Sequence, residues 1–256
     1  MIRSLLMFLS MVISFSVYAD AGQFKQFTVR GDVTIPTWLI NTQKPVASAI
    51  LLAGGKGKLN ITAAGIGRQG NFLIRSRDDF LQNNISVLIP DIPSDKGNLF
   101  YYRTTKSHAE DLSHMIMWLR QTYPQQPVWL IGTSRGTISA ANAAVRLDAA
   151  HKPDGIVLSA SLTRASNSGL DSLSDVALDK LDVPTLLVHH EQDECYVTPY
   201  QDIPALLQTI PSKRKALLSF VGGVNRGPAC KSKGFHGFNG IEPEVVNAIS
   251  DWIKKN

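Results

Sequence analysis

The chain has 256 residues, 44% of them hydrophobic and 18% charged, with a formal net charge of +5. That length and apolar content predict one α/β domain with a full core, and they exclude a disordered chain or a coiled coil. The basic residues are scattered, with no Lys/Arg run and no Arg–aromatic interleaving, which excludes nucleic acid as an expected partner.

In chain order, residues 1–19 read as a secretory signal peptide. Arg3 supplies a positive start, residues 5–17 are apolar, and Val17-Tyr18-Ala19 offers a cleavage site, with cleavage expected after Ala19 or Ala21. The apolar run is short for a bilayer span, and no later segment approaches one. Residues 20–256 are then the mature domain. Residues 24–30 and 33–40 predict an antiparallel hairpin at a sheet edge, and 46–53 an apolar strand ending in Gly54-Gly55. A glycine-containing loop at 57–70 precedes a helix at 71–82 and a buried strand at 85–90. Ser107-His108-Ala109-Glu110 has the capping-box pattern and opens a helix to about Tyr123, with Leu112, Met115, Ile116 and Leu119 on one face.

Residues 127–131 form the next strand, followed by Gly132-Thr133-Ser134-Arg135-Gly136 and a helix at 137–147. Gly-x-Ser-x-Gly alone is common enough to arise by chance. Between an apolar strand and a helix it describes a sharp turn that lifts the serine hydroxyl clear of the sheet. The helix N-terminus behind it adds N–H groups and positive dipole. Strands follow at 155–160, 184–189 and 215–221, and helices at 201–209 and 243–254. The 164–175 connection is too brief for a helical lid. Alternating strands and helices predict a mostly parallel central sheet with helices on both faces.

A serine nucleophile needs a base, and the base needs an orienting acid. Of six histidines, His236 stands in a loop between glycines, after the last strand. His108 and His114 lie on a helix, His151 in a turn, and His189 and His190 end a strand as packing or site-wall residues. Glu191, Asp193 and Glu194 follow that strand. Asp193 is preferred, as a short carboxylate just past the strand end. Cys195 and Cys230, an even pair in an exported chain, predict a disulfide.

With Ser134, Asp193 and His236 in that order, the chain from Val46 onward resembles the α/β-hydrolase family, in its compact, lidless, esterase- or dienelactone-hydrolase-like form. The resemblance implies the α/β-hydrolase fold, Ser134 as nucleophile, His236 as general base and acid, and Asp193 as orienting acid. It implies an oxyanion hole from the N–H groups of Arg135 and of Gly55, with Lys56 next in line. The common family pattern has histidine where this chain has Ala53, so the oxyanion loop is expected to be braced differently. The implied function is an exported serine hydrolase, a carboxylesterase acting on a small-molecule ester without metal or organic cofactor. Its alternatives are amide or peptide hydrolysis with the same residues, or a non-catalytic binding protein on this scaffold. Lys56, Arg135, Lys231 and Lys233, with Tyr101, Tyr102 and Arg103 nearby, fit either recognition of an anionic substrate or solvated loop charges. The expected disulfide would tie the acid loop to the base loop.

Overall fold

The computed structural model describes residues 22–166 and 170–256; the expected signal peptide lies outside them. β1 (Gln23–Arg30) and β2 (Val33–Ile40) form the antiparallel edge hairpin. β3 (Ala47–Leu52), β6 (Ile85–Pro90), β7 (Val128–Thr133), β8 (Gly155–Ser159) and β9 (Thr185–His190) are buried along their whole length. β10 (Lys215–Phe220) closes the far edge. The strand order is β1-β2-β6-β3-β7-β8-β9-β10. Every pair from β6 to β10 is parallel, and β2 pairs antiparallel with β6.

Because side chains alternate along a strand, each central strand feeds two cores. Ile50, Leu88, Leu130, Ile156 and Leu187 face α3 (Lys106–Thr122), α4 (Gly136–Arg146) and α5 (Ile203–Thr209). Their neighbours Leu51, Ile89, Ile131, Val157 and Leu186 face α1 (Phe72–Arg75), α2 (Arg77–Gln82) and α6 (Glu242–Lys255). Continuous apolar runs in the sequence thus read correctly as strands covered on both sides, and the expected mostly parallel sheet with helices on both faces is present.

The differences from expectation are local. The helix expected at 71–82 breaks at Ser76, whose hydroxyl donates back to Phe72 O at 2.7 Å and whose backbone sits at φ −98°, ψ 14°. The 57–70 loop contains a small hairpin, β4 (Ile61–Thr62) with β5 (Gly65–Ile66). Its first strand hangs on Asp91, whose carboxylate accepts from Leu59 N–H at 2.8 Å and Ile61 N–H at 2.7 Å. The N-cap of α3 is Thr105, not Ser107: Thr105 Oγ1 accepts from His108 N–H at 3.2 Å. Threonine wins because its hydroxyl also donates to Tyr102 O at 2.8 Å, closing the preceding turn. Between β8 and β9 the described residues form only single 3-10 turns, Leu173–Asp175 and Leu178–Lys180. Among the described residues no helix is long and apolar enough to cross a membrane.

Candidate active site

The residues singled out by sequence gather at the carboxyl ends of parallel strands: Gly54 and Gly55 after β3, Ser134 after β7, Asp193 after β9 and His236 after β10. Ligand sites in open α/β sheets form at this edge because the strand ends and the helix N-termini converge there.

Ser134 occupies the left-handed region at φ 52°, a conformation that costs a non-glycine residue about 1–3 kcal/mol. The turn is held by Ser134 N–H donating to Ser159 O at 2.9 Å and Thr137 N–H donating to Ser134 O at 3.0 Å. Its two glycines are required by close backbone approach. A Cβ on Gly132 would come within 2.3 Å of Gly136 O, and one on Gly136 within 2.0 Å of Leu52 O. The loop after β3 also comes close, since a Cβ on Gly54 would meet Thr133 O at 2.9 Å and Ser134 Cβ at 3.0 Å. Gly55 sits at φ 57° in a turn closed by Gly57 N–H donating to Gly54 O at 3.1 Å. Neither the Gly55 nor the Arg135 N–H donates to any acceptor within the described chain, so both remain free for a ligand oxygen at the head of α4.

His236 is buried in the wall of the same cleft. Its Nδ1 lies 2.9 Å from Asp193 Oδ2 and 3.1 Å from Thr198 Oγ1. Asp193 also accepts from Thr198 Oγ1 at 2.9 Å and, through Oδ1, from Cys195 N–H at 3.0 Å. His189 Nε2 stands 3.4 Å from the same carboxylate and 2.8 Å from Thr198 O. Burial alone pushes the Asp193 carboxyl up. The hydrogen bonds from His189 and His236, the imidazole charge and the Cys195 N–H outweigh it and hold the group well below the ordinary carboxylate range. Ser134 Oγ and His236 line one cavity of about 70 Å³ without a hydrogen bond between them. Such contacts tighten when substrate is bound.

Cys195 and Cys230 are joined as a disulfide across 35 residues. Cys195 borders Asp193, and Cys230 lines the cleft with His236. Replacing both by serine is expected to cost about 4 kcal/mol of stability in the chain-entropy model. Thermal unfolding of the double variant checks the stability loss, and free thiols at both positions in native protein would remove its basis.

Some contributors carried no readable signal, while His189 and His190 could be read from the sequence only as packing or site-wall residues. Thr198 is drawn to Asp193 only by the fold. His190 stacks on Phe235 at 4.4 Å, next to His236. Arg75, in the broken helix, donates to Gly237 O at 2.6 Å and pairs with Glu242, pinning the His236 loop from outside. Two residues expected near substrate turn inward instead. Tyr102 is buried with its hydroxyl on Asp111 at 2.7 Å, and Arg103 is buried behind the Gly54-Gly55 loop. Hydrogen bonds satisfy the Tyr102 hydroxyl and both terminal nitrogens of Arg103, though Arg103 Nε stays unpartnered among the described residues. Lys56, Lys231 and Lys233 are exposed, and Arg135 is half-buried, donating to Asp171 O at 3.2 Å over the Phe100 ring. None of these four lines the cleft.

Residues 61–178 match the family model described as serine aminopeptidase, S33. No curated protein matches the chain by sequence. Among solved structures, an α/β serine hydrolase without lid from Xanthomonas campestris is similar with TM-score 0.59 and 16% identity, covering 91% of this chain and 94% of its own. An esterase from Pyrococcus furiosus gives 0.64 at 14% identity, covering 91% and 92%. A soluble variant of monoglyceride lipase from Saccharomyces cerevisiae gives 0.66 at 12% identity, covering 94% and 97%. At these identities the likenesses establish the fold.

Proposed function

We propose, on the premise that this chain has the α/β-hydrolase fold, that the protein is an exported serine hydrolase acting on carboxylic esters through an acyl-enzyme. Residues 1–19 direct its export, and residues 20–256 form the hydrolase domain. The observation that carries this reading is a strained serine sharing a small cleft with a histidine whose far nitrogen is held by a buried, ionised aspartate.

Ser134 Oγ attacks the ester carbonyl as its proton passes to His236 Nε2. Asp193 holds the Nδ1–H and offsets the imidazolium charge. The carbonyl oxygen becomes an oxyanion against the N–H groups of Arg135 and Gly55, at the positive end of α4. Collapse breaks the bond to the alcohol, and His236 protonates the departing alkoxide. Water then attacks the acyl-enzyme, gives its proton to His236, and Ser134 recovers it as the acid leaves.

A cavity of about 70 Å³ is small beside the 300–1,000 Å³ of common ligand pockets, so it suits a short acyl chain with the alcohol lying outside. kcat/KM is expected to fall from p-nitrophenyl acetate to the octanoate; the reverse order would rule out this acyl site. Wild-type protein is also expected to label with a fluorophosphonate probe. Folded protein that neither labels nor hydrolyses any ester would favour a binding role.

The aminopeptidase name of the matched family supports a second reading, amide hydrolysis at a chain terminus. That reaction needs an acidic group for the substrate ammonium, and no carboxylate lines the cleft among the described residues. The ester reading is therefore preferred, and comparing matched ester and aminoacyl-anilide substrates decides between the two. An anionic substrate rests on the exposed Lys56, Lys231 and Lys233; equal hydrolysis of neutral and carboxylate-bearing esters at two salt concentrations would exclude it.

A further inference from the structure

The loop that carries Gly55 has two adjacent glycines and no side chain of its own reaching back to hold it. Gly54 and Gly55 have more backbone freedom to lose than any other pair of residues, yet an oxyanion donor must be fixed to a fraction of an ångström. Something outside the loop must supply the rigidity. Ala53, where the family pattern carries histidine, supplies only a methyl group.

Arg103 fills that role. It lies at the entry to α3 with its guanidinium buried. Nη2 donates to Ala53 O at 2.9 Å and to Gly55 O at 3.4 Å, the two carbonyls that bracket the Gly54–Gly55 peptide. Nη1 donates to Ser139 Oγ at 2.6 Å. Ser139 stands one turn into α4, the helix whose head bears Arg135 N–H. One planar group therefore fixes the distance between both halves of the oxyanion hole. Ser139 in turn lies 2.8 Å from His108 Nε2. Burial first, and the Arg103 charge second, push His108 down to about 3, so it is neutral and adds no second cation.

The charge itself is also unusual. Among the described residues no carboxylate pairs with Arg103; its partners are two carbonyls and a hydroxyl. Burial first, and the Arg135 charge second, work against its ionised form, and the more distant Asp171 carboxylate only partly offsets them. Guanidinium nevertheless stays protonated at neutral pH. A buried cation without a contacting counter-ion is costly to keep. Behind an oxyanion hole its positive field favours the tetrahedral oxyanion over the neutral ester, which is the condition for raising kcat and not merely affinity.

We propose that Arg103 is a positioning residue for the oxyanion hole, clamping the Ala53-Gly54-Gly55 loop to α4 and biasing the site toward the anionic intermediate. This rests on the serine-hydrolase reading above. Arg103→Lys keeps a charge but loses the planar fork, which a single ammonium cannot replace. It is expected to lower kcat on p-nitrophenyl acetate by about 10–100-fold, somewhat less than loss of a whole oxyanion donor. KM should move by less than about threefold. The Ki of a trifluoromethyl ketone, whose bound form mimics the tetrahedral oxyanion, should rise by the same factor as kcat falls.

Ser139→Ala removes only the α4 end of the clamp. It is expected to lose kcat about threefold to tenfold with the same unchanged KM. This variant carries the test if position 103 tolerates no replacement. Two results would overturn the proposal: a folded Arg103→Lys protein with wild-type kcat, or loss of kcat without loss of ketone affinity. Equal damage to kcat, KM and the thermal midpoint would also overturn it, as the mark of a purely structural residue. Failure of the parent reading is separately visible, because wild-type protein would then neither turn over ester nor bind the ketone.

Discussion

Ser134→Ala is expected to abolish fluorophosphonate labelling and to lower kcat by about 10⁶, the loss seen when a serine nucleophile is removed from an intact site. The fold should survive, because the turn is held by backbone bonds from Ser134 N–H to Ser159 O and from Thr137 N–H to Ser134 O. Neither uses the hydroxyl. Alanine inherits the strain at φ 52°, while glycine does not, since the penalty comes from Cβ. Ser134→Gly is therefore expected to be more stable than Ser134→Ala by about 1 kcal/mol, with activity equally absent. Thermal unfolding of the two inactive variants measures that difference. Labelling that persists in Ser134→Ala would place the nucleophile elsewhere.

The strained turn was legible because its requirements are local: an apolar run, two glycines forced by backbone approach, and a helix of small residues. The parallel sheet was legible for a similar reason, since strands buried on both faces must be continuously apolar. What the sequence hid depends on partners distant in the chain. Ser76 breaks a helix because its hydroxyl finds Phe72 O. Thr105 takes the cap expected of Ser107 because it also closes the turn at Tyr102. Arg103 and Tyr102 look like surface residues by type, and only Ser139, Ala53 and Asp111 explain their burial. Thr198 had no signal and His189 read only as a packing or site-wall residue, because a residue that supports a buried carboxylate needs only a donor and a place beside it.

Asp193→Asn is expected to lower kcat by about 10⁴ with the site geometry almost intact. The reason lies in how the carboxylate is divided. Oδ1 accepts from Cys195 N–H at 3.0 Å, which an amide oxygen can also do, so asparagine keeps that bond and turns its NH₂ toward His236 Nδ1. A donor now faces Nδ1, the ring carries its proton on Nε2, and the nitrogen that must accept from Ser134 is blocked. Thr198 Oγ1 loses its acceptor at 2.9 Å as well. The variant should still label with fluorophosphonate, but far more slowly, and should recover activity as pH rises and hydroxide substitutes for the base. Stability follows the opposite course. The Asp193 pKa is lowered by folding, despite burial, through His189 and His236. Its contribution is thus complete above the unfolded carboxylate value near 3.9 and is lost as pH falls from there toward the folded value. The thermal midpoints of wild type and Asp193→Asn should therefore differ at pH 7 and converge below about pH 4. A gap that stays constant across that range would show that the asparagine acts through packing and not through the missing charge.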